Sequence, residues 1–294
     1  MNSSLKMLVP LAALAVVAAC ASETNTTESP IETVEVQAEL TQAEKVTALL
    51  NSFNTGDTAP IAYINSEKYI QHNLDVADGL AGFGAVMQSA PAGGFSADVK
   101  RVFTDGDYVV VHTEYDFFGP KAGFDVFRFE DGLIVEHWDN LSPVTPPNPS
   151  GRTQFDGETE LTDLDKTDAN KTVVKGFVQD VLIGGNTDTV TNYISTETYI
   201  QHNSAVADGL DGLADALAYF AANDMVMIYD KTHMILGEGN FVLAISEGKF
   251  GPAPGQHVAY YDLFRLDGGK IVEHWDVIQE IPPQSEWQNQ NGKF

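Results

Sequence analysis

In DVFRFEDGLIVEHWD, residues 125–139, an aspartate stands twelve positions before a histidine, and DLFRLDGGKIVEHWD, residues 262–276, repeats the two types at the same spacing. A carboxylate beside an imidazole holds the ring in one tautomer and stabilises its charged form, while apolar surroundings disfavour charge on both. Such a pair can take a proton from a carbon next to a carbonyl and return one to oxygen. A buried pair that only positions two strands would leave the same trace. The spacing predicts a hairpin. With Glu130-Asp131-Gly132 as a three-residue loop, a type I turn closed by a left-handed glycine, Phe129 pairs with Leu133, Phe127 with Val135 and Asp125 with His137. Strand residues alternate faces, so Asp125, Phe127, Val135, His137 and Asp139 are expected on an apolar, pocket-side face. Arg128, Ile134, Glu136 and Trp138 fall on the other. The loop Asp267-Gly268-Gly269 likewise pairs Asp262 with His274 and sets Asp276 on their face. Another loop length would shift the register.

The elements that must hold these residues occur twice. Residues 69–83, YIQHNLDVADGLAGF, and 199–213, YIQHNSAVADGLDGL, agree at 11 of 15 positions, and the Asp–His segments agree at 10 of 15. The offset grows from 130 to 137 between them, so the second copy gains seven residues, part of them expected near Gly248 to His257. Two domain-sized units follow, residues 38–147 and 164–294, joined by the Pro-, Gly- and acid-rich linker 148–163. Each opens with a helix: Thr41 and Glu44 form a capping box before Val46, Leu49, Leu50 and Phe53, and Val174, Phe177, Val178, Val181 and Leu182 repeat the stripe. Asp78 and Asp208 are expected N-caps of a second helix. Strands separated by Gly and Asp-Gly turns come next, an α+β order.

The succession YIQHN, DG, GDYVVVH and DVFRFEDGLIVEHWD resembles the SnoaL-like polyketide cyclases of the nuclear transport factor 2-like superfamily, over nearly all of both units. The resemblance implies two tandem cone-shaped α+β barrel domains, each a curved, mostly antiparallel sheet wrapped by helices around a pocket. It also implies cofactor-independent acid–base chemistry on a small carbonyl compound, with Asp125, His137, Asp262 and His274 as base and acid. By the same resemblance Tyr69 and His72, and Tyr199 and His202, would reach the pocket and offer a donor to a ligand carbonyl. His112 is a further pocket candidate; its counterpart is Ile245, so a pocket lined by His112 would make the two sites unequal. Asn73 and Asn203 suit a bond to the local backbone. No metal is expected, since H-E-x-x-H does not occur and His72, Asp125 and His137 lack ligand spacing. Trp138 and Trp275 fall away from the dyads and should meet another surface, which an intramolecular pseudo-dimer of the two units would supply.

The N-terminus addresses location. Lys6, the apolar run Met7 to Ala19 and Val17-Ala18-Ala19-Cys20 resemble a lipoprotein signal, residues 1–20, with Cys20 lipidated. Residues 21–37 form an acidic tether, and Ala21 favours the outer membrane, facing the periplasm or exterior. Membrane attachment is expected through the lipid alone. A net charge of −26 argues against nucleic acid as a partner. Two functions fit: a cyclase, isomerase or aldol-type catalyst acting on a small hydrophobic carbonyl compound, or a non-catalytic module that holds a small hydrophobic ligand or a protein partner.

Overall fold

A computed structural model describes residues 39–294. The signal segment, Cys20 and the tether lie outside the described residues. Helix α1 (Gln42–Thr55) starts at the expected capping box: Glu44 N–H donates to the Thr41 hydroxyl at 3.2 Å, and Thr41 N–H to the Glu44 carboxylate at 2.7 Å. It buries Val46, Leu49 and Leu50, and ends at Gly56, whose φ of 71° suits glycine. Strand β1 (Ile70–Gln71), helix α2 (Gly79–Gln88) and strands β2 (Ser96–Asp105), β3 (Tyr108–Asp116), β4 (Pro120–Glu130) and β5 (Leu133–Pro143) complete the first half. The second half repeats the order: α3 (Thr167–Phe177), β6 (Ile200–Gln201), α4 (Gly209–Ala222), β7 (Met225–Glu238), β8 (Phe241–Pro252), β9 (Gln256–Asp267) and β10 (Lys270–Glu280). Each half is an α+β unit on a mixed sheet of five strands, ordered β1-β5-β4-β3-β2 and β6-β10-β9-β8-β7. Only β1 and β6 run parallel to their neighbours.

Each sheet is covered on both faces, which explains continuous apolar runs such as Val109-Val110-Val111. On one face Val109, Val111, Phe127 and Phe129 pack on Val46, Leu49 and Leu50 of α1. On the other, Val110, Phe124, Val126 and Trp138 share a core with Phe241, Leu243, Leu263 and Trp275 from the second half. Leu40–Phe294 is thus a single compact unit. Asn140 extends the contact across the sheets, donating to the Ala259 and Val277 carbonyls at 3.0 and 2.7 Å.

The segment after each half's last long strand crosses to the other half. Asn148 donates to the carbonyls of Gln201 and Val206, and Asn289 to those of Asn73 and Val76. Residues 148–163, read above as a linker, therefore include a strap laid on the second half. Its partner strap is the C-terminal segment.

The hairpin differs from its expected register. Asp131 and Gly132 both have positive φ, 49° and 78°, so the loop is a two-residue turn of the primed type, with Glu130 opposite Leu133 and Phe129 opposite Ile134. A bulge at Val135 adds a second one-residue shift, after which Arg128 opposes Glu136, Phe127 opposes His137, and Asp125 opposes Asp139. Two shifts of one restore the face. Asp125, Phe127, His137 and Asp139 share it as expected, whereas Ile134 above the bulge joins the α1-side core instead of the Trp138 face. The second hairpin repeats this through Gly268 and Gly269, with Asp262 opposite Asp276. Asp78 and Asp208 stand at the N-cap positions but do not cap through their side chains; each accepts the backbone N–H of Gln71 or Gln201 at 3.0 Å and ties the short strand to the helix start.

Candidate active site

Between α1, α2 and the first sheet lies a cavity of about 70 Å³. Its walls are apolar, with Leu49, Phe53, Phe83, Met87 and Phe117 among them, and its polar floor is Tyr69, Gln71, Tyr115, Asp125, His137 and Asp139. His137 Nε2 lies 3.1 Å from Asp125 Oδ1, and both residues are buried. Tyr115 donates its hydroxyl to Asp125 Oδ2 at 2.7 Å. Asn73 donates to Asp139 Oδ2 at 2.6 Å while its own Oδ1 accepts the Asp75 N–H, so it serves both the local backbone and the floor.

The hydrogen bonds determine where protons sit. Gln71 Oε1 accepts the Asn73 N–H at 2.8 Å, which assigns that atom as the amide oxygen. His137 Nδ1, 3.1 Å from the same oxygen, must therefore carry a proton and donate it. That leaves Nε2 facing Asp125 Oδ1, and a bond between them requires one further proton, on the ring or on the acid. Burial raises the Asp125 pKa, against the hydrogen bond and charge of His137 that lower it. The pair is a place where one proton is held between two groups. Burial and the nearby Asp139 and Asp125 charges push the Tyr69 phenol well above its ordinary value, so Tyr69 remains a donor.

Asp139 differs from its neighbours. It is 5 % exposed and lines the cavity, and among the described residues no hydrogen bond reaches its Oδ1. Lys293 Nζ lies 3.8 Å from it. Asp125, His137 and Asp139 offer donor atoms within 4.8 Å of one another, as do Asp262, His274 and Asp276. In the first half the Lys293 ammonium already supplies positive charge beside Asp139, which disfavours a divalent ion there.

The second half keeps the dyad and changes its cover. His274 Nε2 is 3.1 Å from Asp262 Oδ1, and Nδ1 is 3.1 Å from Gln201 Oε1. Burial works against the charged ring of His274, yet the bond to Asp262 and the charges of Asp276 and Asp262 prevail and raise its pKa. Asp276 is raised too, by burial first and then by Asp262. Tyr199 is buried and accepts a hydrogen bond from Gln201 Nε2 at 3.0 Å. Position 248 is glycine where the first half has Tyr115. A side chain there would meet the Ile228 carbonyl and the Tyr260 ring. Tyr229, opposite Gly248 on β7, puts its hydroxyl 3.3 Å from both Asp262 oxygens and stacks on Tyr260 at 4.0 Å. Leu182, Ile183, Met227 and Phe250 pack around that pair.

Three pocket expectations are corrected. His72 and His202 lie on the inter-sheet side, each stacked 4.6 Å from Trp138 or Trp275 and 2.9 Å from Glu136 or Glu273. Their Nδ1 atoms meet strap carbonyls, Gly292 and Thr153. The strand period of two that brings Tyr69 to the cavity brings Gln71 and Asn73 with it and turns His72 away. His112 also faces the other sheet, stacked on Phe124 at 4.4 Å with Nδ1 3.1 Å from Arg101. Burial and the Arg101 charge hold its pKa well below the ordinary value. Its counterpart Ile245 sits in the same shared core, so this inequality between the copies concerns the interface. Gln71, Tyr115, Tyr229 and Lys293 were not singled out from the sequence. Gln71 was accessible through the strand period, and Lys293 through the match of Asn148…Gly151-Arg152 with Asn289…Gly292-Lys293.

No curated protein matches the sequence. Solved structures that are similar to part of the chain include TsrD from Streptomyces laurentii, at 22% identity over 35% of this chain and 92% of that one, with a TM-score of 0.30. An NTF2-like protein from Cytophaga hutchinsonii shows 17% identity over 36% and 95%, with a TM-score of 0.32. A SnoaL-like polyketide cyclase from Agrobacterium tumefaciens shows 14% identity over 37% and 91%, with a TM-score of 0.30. Residues 46–137, within the first half, match the SnoaL-like domain family.

Proposed function

We propose that the first half binds a small, largely apolar carbonyl compound and moves a proton at the carbon beside the carbonyl, without a cofactor. The observation that carries this is Asp139 Oδ1: a buried carboxylate oxygen at an apolar cavity that no hydrogen bond among the described residues occupies, beside a pair that shares one proton. In this reading Asp139 Oδ1 takes the proton from carbon, the developing enolate oxygen accepts from the Tyr69 hydroxyl, and the His137–Asp125 pair returns a proton to the product. An isomerase, a cyclase and an aldol-type catalyst all share that first step. A cavity of about 150 Å³ holds benzene, so the space of about 70 Å³ suits a smaller group, and a larger substrate needs Phe83 and Met87 of α2 to move. The second half, with Tyr229 over Asp262, serves as a supporting copy. The chain works outside the cytoplasm, held by a lipid on Cys20.

The test is proton–deuterium exchange at the α-carbon of small ketones and β-keto esters. Asp139→Asn and Asp125→Asn should each reduce exchange by on the order of 100-fold or more. Exchange that survives Asp139→Asn would remove it as the base. Absence of exchange over the whole panel, with a ligand still bound, would make the cavity a non-catalytic holding site.

A further inference from the structure

Lys293 lies in the strap that follows β10 and is buried against the first half, 5 % exposed. It donates to the Asp139 carbonyl at 2.7 Å and to Gln279 Oε1 at 3.0 Å, and lies 3.8 Å from Asp139 Oδ1. Two of its N–H bonds are thus used, and the Asp139 carboxylate stands beside it at ion-pair distance. A buried ammonium is costly unless paired, and Asp139 is the charge that pairs it. Burial lowers the Lys293 pKa, and Asp139, Asp75 and Asp125 oppose that.

The equivalent residue does something else. Asn148-Pro149-Ser150-Gly151-Arg152 aligns with Asn289-Gln290-Asn291-Gly292-Lys293, and both glycines have positive φ, 80° and 82°. The two asparagines latch each strap in the same way, but Arg152 turns out to Asp208 at 3.1 Å with its side chain 40% exposed. No basic residue is paired with Asp276, the counterpart of Asp139, among the ion pairs of the described residues.

We infer that Lys293 is a positioning residue for the first half's site, its ammonium pairing with the Asp139 carboxylate and fixing how it is turned, so that the second half completes the first half's site and not its own. The inference rests on the reading of Asp139 as the base. Other ionisable groups facing Asp139 are Asp125 and His137 on its own sheet, Tyr69 beside β1, Tyr115 on β3 and Tyr261 on β9. The tyrosines are neutral over the working range, and Asp125 shares its negative charge with Asp139 across the ladder. Lys293 is then the cation that offsets two carboxylates around one imidazole. This also supplies a reason for one chain to carry both copies.

The test needs no substrate. In the full chain labelled with carboxyl-¹³C aspartate, the Asp139 titration should move up by about one to three pH units in Lys293→Met, the range for losing an opposite charge at this distance. Lys293→Arg should keep it near the wild-type midpoint. A midpoint unmoved in Lys293→Met overturns the inference. Should Lys293→Met not fold, the reciprocal reading decides: Asp139→Asn should lower the ¹⁵Nζ titration of Lys293, and a Lys293 midpoint indifferent to Asp139 overturns it equally. Failure of the exchange assay leaves these titrations unaffected, so the two readings fail separately.

Discussion

His137 reaches Asp125 diagonally across the β4–β5 ladder, Nε2 to Oδ1 at 3.1 Å, while the residue directly opposite Asp125 is Asp139. This arrangement gathers two carboxylates and one imidazole instead of a single ion pair. It leaves Asp125 engaged by His137 and Tyr115, and Asp139 with one oxygen that no hydrogen bond among the described residues reaches. The division of labour between a proton-holding pair and an open base follows from that geometry.

The two copies should respond unequally. Asp125→Asn is expected to reduce α-proton exchange by on the order of 100-fold or more, whereas Asp262→Asn, under the Tyr229 cover, should leave it within about twofold of wild type by the same measure. Equal losses in the two variants would assign activity to both halves.

Gln71→Leu removes the acceptor that places the proton on His137 Nδ1. The ring should then populate both tautomers, visible as altered ¹⁵N shifts of His137. Stability should fall by about 1–3 kcal/mol, because a buried donor is left without a partner. Unchanged His137 shifts would show that Gln71 does not set the tautomer.

The raised His274 pKa gives a signed dependence of stability on pH. Between the unfolded histidine value of about 6.5 and its folded value, the native state binds the extra proton. This contribution is therefore complete below pH about 6.5 and is lost as pH rises through the folded pKa. Denaturant titrations from pH 6 to 9 should show a downward slope that Asp262→Asn flattens. The same slope in both proteins would separate it from His274.

Trp275 is fully buried between the sheets, stacked on His202, with Arg101 above its ring at 4.1 Å. Trp275→Ala should cost on the order of 3–5 kcal/mol, read by chemical denaturation. A loss under 1 kcal/mol would show that the shared core tolerates its removal.

Cys20→Ser should leave the precursor unprocessed by the lipoprotein peptidase, while the wild-type chain partitions into detergent. An unmodified N-terminus beyond residue 20 in the wild-type chain would overturn the anchor.

Local pattern and periodicity in the sequence determined the elements and much of the site. The capping box at Thr41 and Glu44 is a contact between residues three apart, so the chain encodes it directly. The two copies of YIQHN and IVEHWD were visible as identity, and they became two sheets of the same strand order. Asp125 and His137 share a face because strand parity survives a shift of two, although the two-residue turn and the bulge behind that shift differ from the three-residue loop the spacing predicts. A primed turn and a three-residue loop differ in one residue's φ, which Asp-Gly permits in either case.

Tertiary structure alone decided what surrounds the pair. Whether His72 and His112 meet a ligand or another sheet depends on which face the second half covers, and both faces of a buried sheet are apolar in sequence. Tyr115 and Tyr229 come from different strands to the same position over an aspartate, because Gly248 leaves room in one copy only. Lys293 meets Asp139 across 154 residues. Such contacts come from chain segments whose meeting depends on how the two halves pack, and periodicity reports only which face of its own element a residue occupies.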